Sequence, residues 1–159
     1  MNDSVVHAAR ATADSRVPVH DFLNRLLLGQ AEPPPIAKLI GFRPVEGERG
    51  RAVFELDVDP SRHANPMGTL HGGCRATWPT GPWAYASSLA EGETFTTLEL
   101  KINFLKPVWN ARLRAEARVV KRGKTVGMVE CDVADETGSL VARASSTCMT
   151  LSGKEAAGR

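Results

Sequence analysis

The segment Thr97-Leu-Glu-Leu-Lys-Ile-Asn-Phe-Leu-Lys-Pro-Val108 alternates apolar and polar side chains along most of its length. Its apolar residues from Leu98 to Phe104 share one parity, and charged or amide side chains occupy the positions between them. A period of two is typical of a β-strand with one face on a core and the other in water. The pattern therefore predicts a strand over residues 95–107.

Three segments further along the chain show the same alternation. They cover residues 112–121, 124–132 and 139–151. The turns between the last three are Lys121-Arg-Gly-Lys and Asp135-Glu-Thr-Gly. Four consecutive strands joined by short turns predict an antiparallel meander. Before them, residues 51–59 alternate in the same way and predict one more strand.

Residues 69–89 are the only place in the chain for a long helix. The glycines near its start would leave backbone N–H groups exposed at the positive end of the helix dipole. Shorter helices are predicted at residues 19–28 and 36–40, separated by three consecutive prolines. We therefore expect an α+β fold in which an antiparallel sheet of five or six strands wraps around one long central helix.

The length of 159 residues fits a single domain, placed at residues 18–152. A loose N-terminal tail (1–17) and a C-terminal tail (153–159) flank it. A net charge of +2, without a basic arm, predicts no nucleic-acid partner. Apolar runs too short for a bilayer and a polar N-terminus predict no membrane partner. Three cysteines without metal-ligand spacing favour reduced thiols in a cytoplasmic protein.

The segment Asn65-Pro-Met-Gly-Thr-Leu-His71-Gly72-Gly73, followed by a helix and the strand quoted above, resembles the hotdog-fold acyl-CoA thioesterase superfamily. Within it, the pattern is most similar to the phenylacetate-pathway and hydroxybenzoyl-CoA thioesterase branch. The resemblance covers roughly residues 36–151. It implies an acyl-CoA substrate, no metal or redox cofactor, and a homodimer, commonly paired into a homotetramer, with sites at the subunit interface.

The resemblance also implies roles for particular residues. In such enzymes an amide at the helix start polarises the thioester carbonyl, and a carboxylate nine residues after the histidine is the nucleophile or general base. An amide side chain six residues before the histidine orients substrate or water. The corresponding catalytic candidates are Asn65, His71, Gly72, Gly73 and Thr80. Preorganised N–H donors stabilise the charge of the transition state, but Thr80 supplies no base.

Several candidates also have a simpler interpretation. Asn65, in a loop of Pro and Gly, is typical of a turn residue, and His71 is compatible with a helix-capping role. Arg122 and Lys124 in a hairpin turn are candidates for binding the phosphates of CoA, although charges at turns are often only solvated. His63 is expected at the surface rather than in a site.

The segment Cys74-Arg-Ala-Thr-Trp-Pro-Thr-Gly-Pro-Trp-Ala-Tyr is a poor helix. In a helix interior each proline costs about 3 kcal/mol and the glycine about 1 kcal/mol. One hypothesis is a local frameshift, since GC-rich codons for residues 78–84, read one base earlier, encode Leu-Ala-Asp-Arg-Ala-Leu-Gly with an Asp at position 80. The rival hypothesis is natural or deliberate remodelling into a pocket lined by Trp78 and Trp83.

These observations favour an enzyme that hydrolyses an aryl- or medium-chain acyl-CoA to the free acid and CoA. A second hypothesis is a catalytically impaired protein of the same fold that binds an acyl-CoA or another small ligand. A third, a hotdog dehydratase, needs a histidine and an acid in a different arrangement. The residue at position 80 discriminates between the first two, because a carboxylate favours the enzyme and Thr80 favours the binding protein.

Overall fold

The computed structural model of the protein describes residues 19–76 and 80–153. Its helices are α1 (Val19–Leu27), α2 (Pro35–Ile40), α3 (Pro60–His63), α4 (Gly72–Ala76) and α5 (Thr80–Ala86). Its strands are β1 (Arg43–Glu48), β2 (Arg51–Asp57), β3 (Glu93–Phe104), β4 (Arg112–Arg122), β5 (Val126–Asp135) and β6 (Leu140–Ser152). The predicted N-terminal tail, nearly all of the C-terminal tail, and Trp78 and Pro79 lie outside the described residues.

The six strands form one antiparallel sheet in the order β1-β2-β4-β5-β6-β3. Strands β4, β5 and β6 form the predicted meander, but the prediction was wrong for β3, which pairs with β6 and not with β4. After β3 the chain stays beside β6, where Leu105 and Lys106 donate backbone hydrogen bonds to Val141. It then crosses to the end of β2, where the Val58 N–H donates to the Ala111 carbonyl.

Strand β1 was not predicted from the sequence. Its residues, Arg-Pro-Val-Glu-Gly-Glu, lack a clear alternation, and the pairing with β2 slips between Pro44 and Glu46. Proline cannot donate a ladder hydrogen bond, so it occurs in edge strands and at bulges. Strand β1 is at one edge of the sheet, and its irregular sequence fits that position.

The alternation predicted for β4 is confirmed, and that predicted for β2 holds except at Val53, which has the parity of the charged residues but is buried. On the inner face, Phe54 is paired with Ala115, and both side chains are buried. On the outer face, arginines and glutamates of β1, β2 and β4 form ion pairs across the strands. The sheet therefore has one apolar face, which contacts the central helix, and one charged face.

Helix α5 packs against the inner face of the sheet, in contact with β2, β4, β5 and β6. Tyr85 is fully buried, and its Oη lies 2.7 Å from Thr150 Oγ1. Gly127 of β5 makes room for this ring, since a Cβ there would lie 2.3 Å from the Tyr85 Cε2 atom. Ser87, just after the helix, accepts a hydrogen bond from the Gly50 N–H at 2.9 Å. A sheet wrapped around a central helix is the expected α+β hotdog architecture.

The central helix is described in two segments, α4 and α5, on either side of residues 77–79. Pro82 is the third residue of α5. The first four N–H groups of a helix have no acceptor within it, so a proline in a first turn loses no helical hydrogen bond. The helix-interior cost predicted for Pro82 therefore does not apply if the helix begins at Thr80, while Pro79 lies outside the described residues.

None of the helices in the described ranges is both long and apolar enough to cross a membrane.

Candidate functional site

The chain enters α4 through His71, whose side chain is exposed. Its Nδ1 accepts a hydrogen bond of 2.9 Å from the Gly73 N–H, and its backbone N–H donates to the His63 carbonyl at 2.8 Å. Because Nδ1 is an acceptor, the neutral imidazole carries its proton on Nε2. His71 therefore caps the helix with one ring nitrogen and has an N–H donor on the other.

Gly72 is the first residue of α4, so its N–H has no acceptor within the helix. None is found for it elsewhere in the described residues, whereas the Gly73 N–H is bonded to His71. The ring of Phe104 lies against Gly72, where an added Cβ would be 3.0 Å from two ring atoms. Of the two glycines predicted to supply an amide, Gly72 is the one whose N–H is available.

Asn65 organises its own loop. Its Oδ1 accepts hydrogen bonds from the backbone N–H groups of Met67 and Thr69, and its Nδ2 donates to Thr69 Oγ1 at 2.8 Å. The backbone N–H of Asn65 donates to the Thr69 carbonyl at 2.7 Å. The side chain thus has the turn role that the sequence left open, and its polar atoms are bonded within the loop that leads to His71.

His63 is buried, and the expectation that it lies at the surface was wrong. Its Nδ1 accepts from the Asp59 N–H at 3.0 Å, and its Nε2 lies 2.8 Å from the Ile40 carbonyl oxygen. Both ring nitrogens are therefore bonded to backbone groups of neighbouring segments. The ring thus ties the short helix α3 to the end of α2, and this contact between distant residues has no pattern in the local sequence.

A cavity of about 220 Å³ lies between the central helix and the sheet. Its helix side includes Arg75, Thr80 and Gly81, and its sheet side is formed by β3, β4, β5 and β6. The wall is mostly apolar and includes Leu100, Ile102, Ala115, Val129, Val133 and Ala144. Among the described residues that line it, none is Asp, Glu or His.

Three polar side chains of this wall have buried atoms without an oxygen or nitrogen hydrogen-bond partner among the described residues. They are Thr80 at Oγ1, Ser146 at Oγ and Arg75 at Nε. Thr80 is fully buried, and Ser146 and Arg75 are 4% and 6% exposed. Buried polar atoms in proteins are nearly always bonded, so three in one cavity indicate a place where a ligand or water completes the bonding.

Cys131 lines the same cavity beside Thr80. Burial, reinforced by the negative charges of Asp132 and Glu116, raises the pKa of its thiol to about 12. The thiol is therefore protonated at neutral pH and is a poor nucleophile. Within residues 19–76 and 80–153, no group of three His, Cys, Asp or Glu side chains is arranged to hold a metal ion.

Arg122 and Lys124 lie at the other end of the sheet from His71. Arg122 forms an ion pair with Glu93 at the start of β3, whereas the end of that strand, Phe104, contacts Gly72. Eleven residue steps of strand span roughly 36 Å. The structure therefore does not bring Arg122 and Lys124 together with the helix start within one chain.

The sequence predicted His71, Gly72 and position 80, and it missed Arg75 and Ser146. Arg75 had no local signal, because its buried guanidinium contacts the Lys106 carbonyl and the Phe104 ring, which lie far away in the sequence. Ser146 had none either, because its position opposite the helix depends on the curvature of the sheet.

Comparisons with known proteins match this region. The family model of the Thioesterase superfamily matches residues 67–142, which include the helix start, position 80 and β3. Human acyl-coenzyme A thioesterase 13 is 30% identical over 105 residues, or 62% of this chain and 72% of that protein. The 1,4-dihydroxy-2-naphthoyl-CoA hydrolase of Listeria monocytogenes is 30% identical over 108 residues, or 67% of this chain and 87% of that protein.

A solved structure shows the same fold. A phenylacetic acid degradation-related protein of Ralstonia eutropha is 28% identical, with a TM-score of 0.72 over 80% of this chain and 98% of that one. The likeness extends over nearly the whole of that protein, so the sheet and the central helix belong to a shared architecture.

Proposed function

The chain belongs to the thioesterase superfamily, and from that premise we propose that it hydrolyses an aryl- or medium-chain acyl-CoA to the free acid and CoA. The observation that carries the proposal is the apolar cavity of about 220 Å³ behind the helix that begins at Gly72. An apolar cavity of about 150 Å³ accommodates benzene. The space therefore suits an aromatic ring or a short to medium acyl chain.

Two N–H donors at the helix start are suited to polarise the thioester carbonyl. The Gly72 N–H lacks an acceptor in the described residues, and the exposed imidazole of His71 carries its proton on Nε2. Attack on the carbonyl develops negative charge on its oxygen, and one such donor typically changes kcat by about 100- to 1,000-fold. Phe104 and Arg75 connect this position to the cavity, since the Arg75 guanidinium lies 5.0 Å from the centre of the Phe104 ring.

None of the described residues of this site is suited to activate water. Thr80 stands where the superfamily resemblance implies a carboxylate, and its hydroxyl has no partner among the described residues that could deprotonate it. General-base catalysis typically contributes about 100- to 10,000-fold. We therefore expect the chain with Thr80 to turn over slowly.

A second candidate function is binding of an acyl-CoA or another small ligand without turnover. The specific observation in its favour is the absence of Asp, Glu and His from the described wall of the cavity. A site that positions a thioester but supplies no base can retain the ligand without hydrolysing it.

The test compares the wild-type chain with Thr80→Asp and Thr80→Asn on a panel of aryl- and medium-chain acyl-CoAs. We expect Thr80→Asp to raise kcat by about 100-fold or more, whereas Thr80→Asn, of similar shape but without a base, stays at the wild-type rate. A further variant replaces residues 78–84 by Leu-Ala-Asp-Arg-Ala-Leu-Gly, which tests the frameshift hypothesis.

The outcomes separate the candidate functions. Slow turnover by the wild-type chain and much faster turnover by the variants with a carboxylate support a thioesterase that lacks its base. Binding of acyl-CoA with no turnover in any variant supports the binding protein. Fast turnover by the wild-type chain would show that water is activated by another group and that our account of position 80 is wrong.

A further inference from the structure

The cavity contains a positive charge without a negative partner in the described part of the chain. Arg75 is 6% exposed, and burial alone lowers its pKa, with no carboxylate contributing. Its two terminal nitrogens donate to the carbonyl oxygens of Lys106 and Leu70 at 3.3 and 3.4 Å, which are long hydrogen bonds. A guanidinium remains protonated when buried, so an unpaired one is energetically costly.

Two buried hydroxyls share the cavity with Arg75. Thr80 Oγ1 projects from the helix side and Ser146 Oγ from β6. Each lies beside a weakly bonding thiol, that of Cys131 and that of Cys148, and neither has an oxygen or nitrogen partner among the described residues. Together with Arg75 Nε, they are three donors without an oxygen acceptor. Donors of this kind in an apolar wall favour a ligand that provides acceptor atoms and a negative charge.

We propose that this cavity binds a small free carboxylic acid in its anionic form, with hydrogen bonds from Arg75, Thr80 and Ser146 to the carboxylate. The aliphatic side chains of the wall would bury the hydrocarbon part of the ligand, which inorganic anions lack. The volume of about 220 Å³ suits aryl and short-chain acids such as benzoate and phenylacetate.

This inference rests on the proposed function in one respect, because it assumes that the same cavity holds the acyl group of the substrate. The free acid is the product that hydrolysis would leave there. A carboxylate at position 80 would repel this anion, whereas Thr80 donates a hydrogen bond to it. The acid is therefore a ligand in its own right, and its binding requires neither CoA nor turnover.

The test is isothermal titration calorimetry of the full chain at pH 7 with benzoate and phenylacetate, and with benzamide and phenylacetamide as neutral ligands of the same shape. We expect the carboxylates to bind about tenfold or more tightly than the amides, because a charge-assisted hydrogen bond replaces a neutral one. Arg75→Met should remove this preference. Arg118→Met, which removes an exposed arginine from the outer face, should retain it.

A second variant guards against loss of folding in Arg75→Met. Thr80→Asp should weaken carboxylate binding about tenfold or more and leave amide binding nearly unchanged, because it adds a negative charge beside Arg75. Equal binding of carboxylates and amides, no carboxylate binding, or an unchanged preference in Thr80→Asp would each overturn the proposal. Calorimetry without CoA is independent of the hydrolysis assay. The two experiments therefore show separately whether acid binding or acyl-CoA hydrolysis fails.

Discussion

His71 has two roles that can be separated by substitution. Its Nδ1 bonds to the Gly73 N–H as a helix cap, while its Nε2–H is directed away from that bond. Asparagine is a good capping residue but is too short to replace the second donor. His71→Asn therefore retains the first role and loses the second, whereas His71→Ala loses both.

We predict that His71→Ala lowers the free energy of unfolding by about 1 kcal/mol, the usual cost of a lost cap, and that His71→Asn nearly preserves it. In the Thr80→Asp background both variants should lose turnover by about 100-fold, because each lacks the donor to the thioester oxygen. Urea unfolding and steady-state kinetics measure the two effects. Full turnover by His71→Asn would exclude Nε2 from the reaction.

Single residues differ in how far their roles could be predicted. His71 and Gly72 could be identified as candidates because they lie next to each other in a short motif at the helix start, and their catalytic roles stay predictions. Arg75 was not predicted because its contacts, the Lys106 carbonyl and the Phe104 ring, lie about thirty residues away. The burial of Arg75 depends on these distant residues, so the sequence around Arg75 contains no pattern that predicts it.

The outer face of β1, β2 and β4 is held by a network of ion pairs around Arg51. Its guanidinium lies 2.9 Å from both Glu116 and Glu46. Hydrogen bonds from Arg51 and Arg118 lower the pKa of the Glu116 carboxyl to about 2. The folded chain therefore binds fewer protons than the unfolded chain between this pKa and the ordinary value of 4.5.

The sign of the resulting pH dependence follows from that difference. The contribution of Glu116 to stability is complete above pH 4.5 and is lost as the pH falls towards 2. We predict that Arg51→Met removes about 1 kcal/mol of stability at pH 7 and flattens the loss below pH 4.5, as urea unfolding across this range would measure. Arg143→Met, which removes one exposed ion pair with Asp132, is the matched control. An equally steep loss in Arg51→Met would contradict the assignment.

The positions of strands and helices in the sequence were easier to predict than the pairing of the strands in the sheet. Alternation correctly predicted that β3 is a strand, although Leu98, Leu100 and Phe104, which it assigned to the core face, are exposed within one chain. It carries no information on which strand lies alongside. The pairing of β3 with β6 depends on the path of residues 105–111 across the end of the sheet.

Proline made two elements hard to predict: it obscured the strand pattern of β1 and argued against a helix at α5. The edge strand β1 tolerates Pro44, because proline at the edge of a sheet costs no ladder hydrogen bond, and Pro82 lies in the first turn of the described segment α5.

Strand β3 leaves one edge of the sheet uncovered. Among its apolar side chains, Leu98 is 55% exposed and Phe104 is 50% exposed. A long edge strand with exposed apolar residues is normally covered by another chain or segment. The superfamily resemblance implies a homodimer that joins two sheets edge to edge, and β3 is the edge that fits this role.

Antiparallel pairing of two β3 strands would also complete the site. The start of β3 lies beside Arg122 and its end lies beside Gly72, roughly 36 Å apart in one chain. Two antiparallel copies place the start of one strand against the end of the other. Lys124 of the partner subunit would then lie near Gly72 at the start of α4 in the first subunit, in a position to bind a phosphate of CoA.

We predict that the wild-type chain is a dimer in light scattering and that Leu98→Lys is monomeric, because it puts a charge into the apolar edge, and that CoA affinity falls with it. Lys124→Met should remain assembled and lose CoA affinity by about fivefold, with a weaker dependence on salt than the wild-type chain, because one exposed charge pair is lost. Retention of wild-type CoA affinity by a monomeric Leu98→Lys variant would place the whole site within one chain. That result would contradict a composite site even if the dimer itself forms through β3.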